Sequence, residues 1–199
     1  VGLYIASRIN IRPRRPVESR KLSLDRFFLV RGWRQAVIIC CFGLSYGVLS
    51  TYLAIYGKER LGITGGTGLY FMILSAGLML SRLQGGRALR DGKVSENAAI
   101  GVSISVFGYI LFAAVPDMWA YYASALIIGL GNGHMFPAVQ TMFINLAPNC
   151  QRGTANSTLY SAWDAGVGIG VFFGGIMAEV WGYASAFWMG ALVNAFGVI

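Results

Sequence analysis

Of 199 residues, 56% are apolar and only 12% charged, and the net charge of +8 is distributed unevenly. Apolar runs of about 20 residues, almost free of charge, exclude an ordinary soluble domain and indicate an all-α, polytopic membrane helical bundle. Nine basic residues (Arg8, Arg12, Arg14, Arg15, Arg20, Lys21, Arg26, Arg31 and Arg34) face only Glu18 and Asp25 within residues 1–34, which is +7 of the total. Beside a membrane span this reads as an anchor to anionic lipid, and without aromatic-interleaved base recognition it sets nucleic acid aside.

Val1–Ser7 reads as the end of a preceding span, and Arg8–Pro16, with two prolines, as an extended segment. Within Ser23–Trp33 the residues Leu24, Phe27, Phe28 and Val30 gather on one side, which suits a short interfacial helix. Residues 1–32 are therefore expected to be a span end plus a basic linker, and residues 33–199 a six-helix transmembrane unit. The six spans are Trp33–Tyr56, about Thr67–Leu83, about Ala98–Val115, Trp119–Leu146, Thr154–Val180 and Tyr183–Ile199, the last reading as truncated. Counting Lys and Arg near span ends puts the nine leader residues with Arg82, Arg87, Arg90, Lys93 and Arg152 on one side, against only Lys58 and Arg60 on the other. The positive-inside rule then makes the leader and the 84–97 and 147–153 turns cytoplasmic.

Glycines recur four apart: Gly43 and Gly47 in the first span, Gly129 and Gly133 in the fourth, and Gly166, Gly170 and Gly174 in the fifth. Such rows let helix backbones approach closely. Pro137 lies inside the fourth span, where it should kink the helix and free a carbonyl near Gly133, so that this span could also serve as a moving element.

The polar residues are few. Asp164 is the single charge in Gly153–Ala178, and an intramembrane carboxylate is costly enough to mark a pathway or a partner. Asn156, Tyr160 and Asp164 share one face of the fifth span, which suits either a cavity wall or a protonated Asp164 hydrogen-bonded to a neighbouring helix. Asn132, His134, Gln140 and Asn145 are the polar inventory of the fourth span. His134, the single histidine, reads either as a proton-exchanging group or as a neutral hydrogen-bonded one. Tyr46 and Tyr52 are further candidates in the first span.

No enzyme, metal or cofactor is indicated. Cys40 and Cys41 are adjacent, Cys150 stands in a turn, and the chain has no metal-ligand spacing, nucleophile elbow or phosphate loop.

Two segments carry a family resemblance. "SRLQGGRALRDGK" (Ser81–Lys93) resembles the second copy of the basic turn motif of major facilitator superfamily transporters: Gly86 matches, Arg90 stands where an aspartate is usual, Asp91 follows, and Gly92 and Lys93 complete a shortened form. "GLGNGHMFPAVQ" and "LAPNCQRGTANSTLYSAWDAGVGIGVFFGG" resemble that family's tenth and eleventh helices, with Val171 where its antiporter pattern has proline after Gly170. The basic leader is similar to the family's central loop.

The resemblance implies the carboxyl-terminal half of a twelve-helix transporter, helices seven to twelve, built as two inverted three-helix repeats. It implies a secondary transporter of the plasma membrane, the bacterial inner membrane in particular, that moves a small organic solute by alternating access with proton or ion coupling, its partners being lipid, solute, protons and an amino-terminal half. Asp164, His134, Asn132, Gln140, Tyr160 and Tyr46 would then serve binding or coupling. Arg82, Gly86, Arg87, Arg90, Asp91 and Lys93 would make up the cytoplasmic motif, with Arg82, Arg87, Arg90 and Asp91 as its latch between conformations. Gly129, Gly133, Pro137, Gly166, Gly170 and Gly174 would pack or hinge the helices. The alternative is a non-transporting sensor or partner-binding subunit that retains the fold; an open cavity favours transport, and one plugged by apolar side chains favours the alternative.

Overall fold

The structure, a computed structural model, describes residues 28–197. Most of the basic leader, residues 23–27 of the expected interfacial helix and the last two residues lie outside the described residues. Within them the chain is helical: α1 (Trp33–Leu61), α2 (Gly68–Arg90), α3 (Val94–Ala114), α4 (Met118–Leu146), α5 (Arg152–Trp181) and α6 (Tyr183–Phe196). A 3-10 turn at Val30–Gly32 leads into α1.

Two helices run past their apolar cores. α1 continues through Lys58–Leu61 and stops at Gly62, whose left-handed backbone (φ 64°) accepts the C-cap position without the steric cost a side chain would carry. α2 extends seven residues beyond the expected Leu83, so the supposed turn Ser81–Lys93 is mostly helix. The cause is local: Ser81–Arg90 contains Leu, Gln, Arg and Ala and no proline, so propensity carries the helix on where hydropathy falls. The chain turns only over Asp91–Lys93, at Gly92 (φ 78°), and α3 begins four residues earlier than expected.

By length and composition, Val30–Leu61, α3 and α5 can each cross a membrane. α4 has 29 residues, about 44 Å at a rise of about 1.5 Å per residue. The 14 residues of α6 span about 21 Å, short of a hydrocarbon core of about 30 Å.

The apolar core forms two clusters. One joins Val48, Leu53 and Tyr56 of α1 with Tyr70 of α2, Phe112 of α3, Tyr121 of α4 and Phe187 of α6. The other joins Ile39 and Phe42 of α1 with Val102 of α3, Met135 and Phe143 of α4, and Leu159 of α5. Late α1 therefore meets early α4, and early α1 meets late α4, so the two long helices run antiparallel. The first cluster is strongly aromatic: Phe112 and Phe187 meet edge-on at 4.6 Å, and Tyr70 and Tyr121 at 4.8 Å. Edge-to-face pairs add about 0.5–1.5 kcal/mol each beyond burial.

Between the clusters lies a thin polar layer. The Ser45 hydroxyl of α1 donates to the Gly190 carbonyl of α6 at 2.6 Å. Asn194 Nδ2 of α6 donates to Ser105 Oγ of α3 (3.4 Å), and Ser105 Oγ donates to Asn132 Oδ1 of α4 (3.2 Å). All four of these side chains are buried. In an apolar interior such groups depend on partners within the protein; among the described residues Asn194 Oδ1 is left without one.

Helix pairs α3–α4, α1–α5 and α2–α4 make the most extensive contacts, and α6 packs against α1, α3 and α5. Glycine controls all three of the most extensive seams; at α3–α4 a Cβ on Gly101 or Gly131 would strike the facing backbone. At α1–α5, a Cβ on Gly43 or Gly47 would strike the carbonyl of Trp163 or Val167, and one on Gly166 or Gly170 would strike that of Cys40 or Leu44. At α2–α4, a Cβ on Gly77 would strike the Leu126 carbonyl, one on Gly129 that of Leu74, and one on Gly133 the Ser81 hydroxyl. Gly174 faces side chains of Val48 and Tyr52 rather than backbone. Tyr52 adds a further tie, its hydroxyl donating to the Val171 carbonyl at 2.7 Å.

Gly168 of the same α5 has open space where its Cβ would be, which supplies a matched test. Gly170→Val is expected to destabilise the purified protein by about 1–3 kcal/mol or more through overpacking, lowering Tm, whereas Gly168→Val should leave stability within about 0.5 kcal/mol of the parent and Tm nearly unchanged. Thermal unfolding of the two variants in the same detergent checks this.

Candidate functional site

A cavity of about 470 Å³ opens between α2, α4 and α5. Arg82, Gly85, Gly86 and Leu89 line it from α2, and Asn97 from the first turn of α3. Gly133, Phe136, Pro137 and Gln140 contribute from α4, and Tyr160 from α5. α4 supplies the back wall because Gly133 and Pro137 leave its surface thin there. Pro137 has no N–H for the carbonyl of Gly133, four residues earlier, so the backbone hydrogen-bond ladder is interrupted at the cavity.

Helix geometry sets the depth. Arg82 precedes the end of α2 by eight residues, and Tyr160 follows the start of α5 by eight, each about 12 Å at a rise of about 1.5 Å per residue. Gln140 lies six residues before the end of α4, about 9 Å by the same measure. Three polar side chains from three helices thus occupy one level. Gln140 Nε2 donates to Asn156 Oδ1 across to α5 at 3.3 Å.

An aromatic track runs beside this level. Tyr160 lies 6.1 Å from Phe136, Phe136 meets Trp163 edge-on at 5.5 Å, and Trp163 lies 5.5 Å from Tyr46 of α1. Tyr46 is thereby connected to the cavity through two rings, though it does not line the wall.

His134 is tied to α3 by one residue. Asn97 Nδ2 donates to the His134 backbone carbonyl at 3.2 Å, and Asn97 Oδ1 lies 2.9 Å from His134 Nδ1. With the amide oriented by the first bond, Oδ1 can only accept, so Nδ1 carries the proton and Nε2 is left as the other ring nitrogen. A side chain at Gly85 would come within 2.9 Å of Nδ1, so the absence of one there lets α2 close over the pair.

The sequence-predicted residues divide accordingly. Arg82, Gly86, Gly133, Pro137, Gln140 and Tyr160 meet on the cavity wall. Asn132 points into the buried polar layer with Ser105 instead. Asp164 is exposed on α5 one turn beyond Tyr160, off the wall, with no hydrogen bond or ion pair among the described residues. Arg90 donates from Nε to the Gly86 carbonyl at 3.2 Å, and Asp91 and Lys93 are exposed at the turn. Arg87 is within α2, and its side chain lies outside what is described.

Asn97 is the residue sequence reasoning missed. It falls in the stretch read as a turn, ahead of the apolar run, and only the early start of α3 brings it beneath His134. Ser105 and Asn194, both isolated in apolar runs, carried no periodic signal either.

Comparison with known proteins adds an independent line. The family model described as Major Facilitator Superfamily matches residues 92–199. A multi-drug resistance efflux pump PmrA homolog of Lactococcus lactis is 32% identical over 168 residues, covering 78% of this chain and 40% of that protein. Multidrug resistance protein MdtG of Klebsiella pneumoniae is 26% identical over 175 residues, covering 81% of this chain and 41% of its own length. An uncharacterized MFS-type transporter of Pseudomonas aeruginosa is 26% identical over 163 residues, 78% of this chain and 38% of that protein. The chain thus spans about two fifths of the length of these curated relatives.

Two outcomes test the site geometry. With Cys40, Cys41 and Cys150 replaced by serine, Gln140→Cys should react readily with a water-soluble maleimide while Asn132→Cys stays protected. Asn97→Ala, which leaves His134 without either partner, should cost about 1–3 kcal/mol in thermal stability, the penalty for orphaned buried polar groups.

Proposed function

We propose that this chain, which belongs to the Major Facilitator Superfamily, forms the carboxyl-terminal half of a secondary transporter for small organic solutes. The multi-pass membrane character follows from the family and from the apolar helices. The bacterial inner membrane suits it, since the similar proteins are bacterial. The relatives named for multidrug resistance and efflux favour export.

The observation that carries the reading is the open, polar-walled cavity at the interrupted stretch of α4. A sensor or partner-binding subunit would need no such space, and an apolar plug there would have favoured one. The packing pattern supports two inverted repeats, α1–α3 and α4–α6. Exchanging the repeats turns the α1–α5 seam into the α4–α2 seam, and the α3–α4 pair into α6–α1. Each exchanged pair is a contact the bundle makes, and the glycine seams at α1–α5 and α2–α4 form one such pair. Repeats of this kind place the solute path between rocking halves.

In this reading Gln140 and Tyr160 contact solute, and His134, held by Asn97, supports the wall. Asp164 serves as the coupling carboxylate: exposed on a helix few of whose residues are buried in this bundle, it faces either the amino-terminal half or the water path, where proton exchange is possible. Arg90 and Asp91 at the α2 end form the latch, on the cytoplasmic side.

Flux measurement in proteoliposomes carrying the full-length transporter tests this. A pH gradient should drive movement of a fluorescent organic solute such as ethidium. Asp164→Asn should slow it about tenfold or more, equivalent to about 1.4 kcal/mol on the limiting barrier. Undiminished coupled flux in that variant removes Asp164 from the mechanism, and the absence of gradient-driven flux for any solute overturns the transporter reading.

A further inference from the structure

By sequence Arg82 belongs to the basic turn motif, yet it sits on α2 eight residues before the helix end and faces the cavity. It lies about 12 Å from the helix end by the rise of about 1.5 Å per residue, on the cavity wall rather than at the turn. It is exposed, and among the described residues no carboxylate pairs with it. A guanidinium facing a cavity without a carboxylate partner is open to an anionic ligand.

The rest of the wall is also rich in donors. The Tyr160 hydroxyl makes no hydrogen bond among the described residues, and Gln140 engages Asn156 through one amide hydrogen, leaving the other. No Asp or Glu is among the cavity's lining residues. Asp164 lies one turn farther along α5, and Asp91 and Glu96 lie at the exposed helix end. Phe136, Leu89 and Pro137 supply an apolar flank. A wall with one fixed cation, spare donors, no carboxylate and an apolar flank is complementary to an acceptor-rich anion carried on an apolar body. Guanidinium recognises carboxylate and related oxyanions by paired, charge-assisted hydrogen bonds.

We infer that the cavity is a subsite for amphiphilic organic anions, with Arg82 binding the anionic group and Phe136 and Leu89 the apolar body. The inference rests on the transporter reading for its solute path, but its own content is a charge preference. It makes Arg82 a specificity-determining residue rather than part of the turn latch. The volume of about 470 Å³ falls within the usual range for small-molecule sites, roughly 300–1,000 Å³.

A matched series isolates the charge: 1-naphthoate, 1-naphthamide and 1-naphthylmethylammonium share one ring system. Equilibrium binding to the full-length transporter in nanodiscs should favour naphthoate over the amide by about tenfold or more. Arg82→Gln should abolish that preference, and Arg82→Lys should restore part of it. An unchanged thermal unfolding profile reports that each variant is folded. Equal affinities for naphthoate and amide in the parent protein overturn the inference, as does a preference that survives Arg82→Gln. Loss of all binding in Arg82→Gln but not in Arg82→Lys supports it, and equal loss in both overturns it. Flux in proteoliposomes reads the transporter proposal separately: bound but unmoved naphthoate refutes transport and not the subsite, whereas ethidium flux without naphthoate preference refutes the subsite alone.

Discussion

Backbone-to-backbone approach through glycine is the constraint on which this bundle depends. In lipid the hydrophobic effect does not distinguish helix from surroundings, so association rests on close packing and interhelical hydrogen bonds. Gly43, Gly47, Gly166 and Gly170 interleave at one seam, Gly77, Gly129 and Gly133 at a second, and Gly101 and Gly131 at a third. Each position faces a main-chain carbonyl or a buried hydroxyl, neither of which can move aside as a flexible side chain could. These seams fix the rotation of α1, α4 and α5, and with it which residues face a cavity, a neighbour or the outside.

The polar groups follow from that rotation. Once Gly129 and Gly133 turn one side of α4 toward α2, and Gly131 turns another toward α3, Asn132 is directed into the core and Gln140 toward α5. Neighbouring polar residues in one helix thereby acquire different tasks. Ser105, Asn132 and Asn194 hold three helices together between two apolar clusters. Phe136, Pro137 and Gln140 line open space, where proline has removed a backbone bond that packing would otherwise protect. The rigid seams and the interrupted stretch of α4 lie side by side, an arrangement that holds a cavity open without loosening its supports.

Much of the fold was legible in the chain itself. Six apolar runs, their approximate limits and the glycine rows all appear in the sequence, because transfer into lipid and close helix contact each select residue types directly. The membership in the Major Facilitator Superfamily was legible as well, from the stretch around α4 and α5 and from the basic turn. Cavity residues Gln140, Tyr160, Gly133 and Pro137 could be nominated because polar or helix-breaking residues are conspicuous in an apolar background.

Only the tertiary structure decided how those residues are used. Hydropathy follows the apolar portion of a helix and not its hydrogen-bonded length, so it ends α2 at Leu83 and leaves Gln84–Arg90 to a turn, where the structure has helix. The same shortfall at the start of α3 hid Asn97, whose two contacts with His134 arise from helices distant in sequence. Asn132 and His134 are two residues apart and look equivalent as letters, yet Asn132 joins Ser105 in the buried layer while His134 pairs with Asn97 beside the cavity. Composition determined that this chain is a bundle in a membrane; helix rotation, set by glycine contacts between segments far apart in the chain, determined which of its few polar side chains meet.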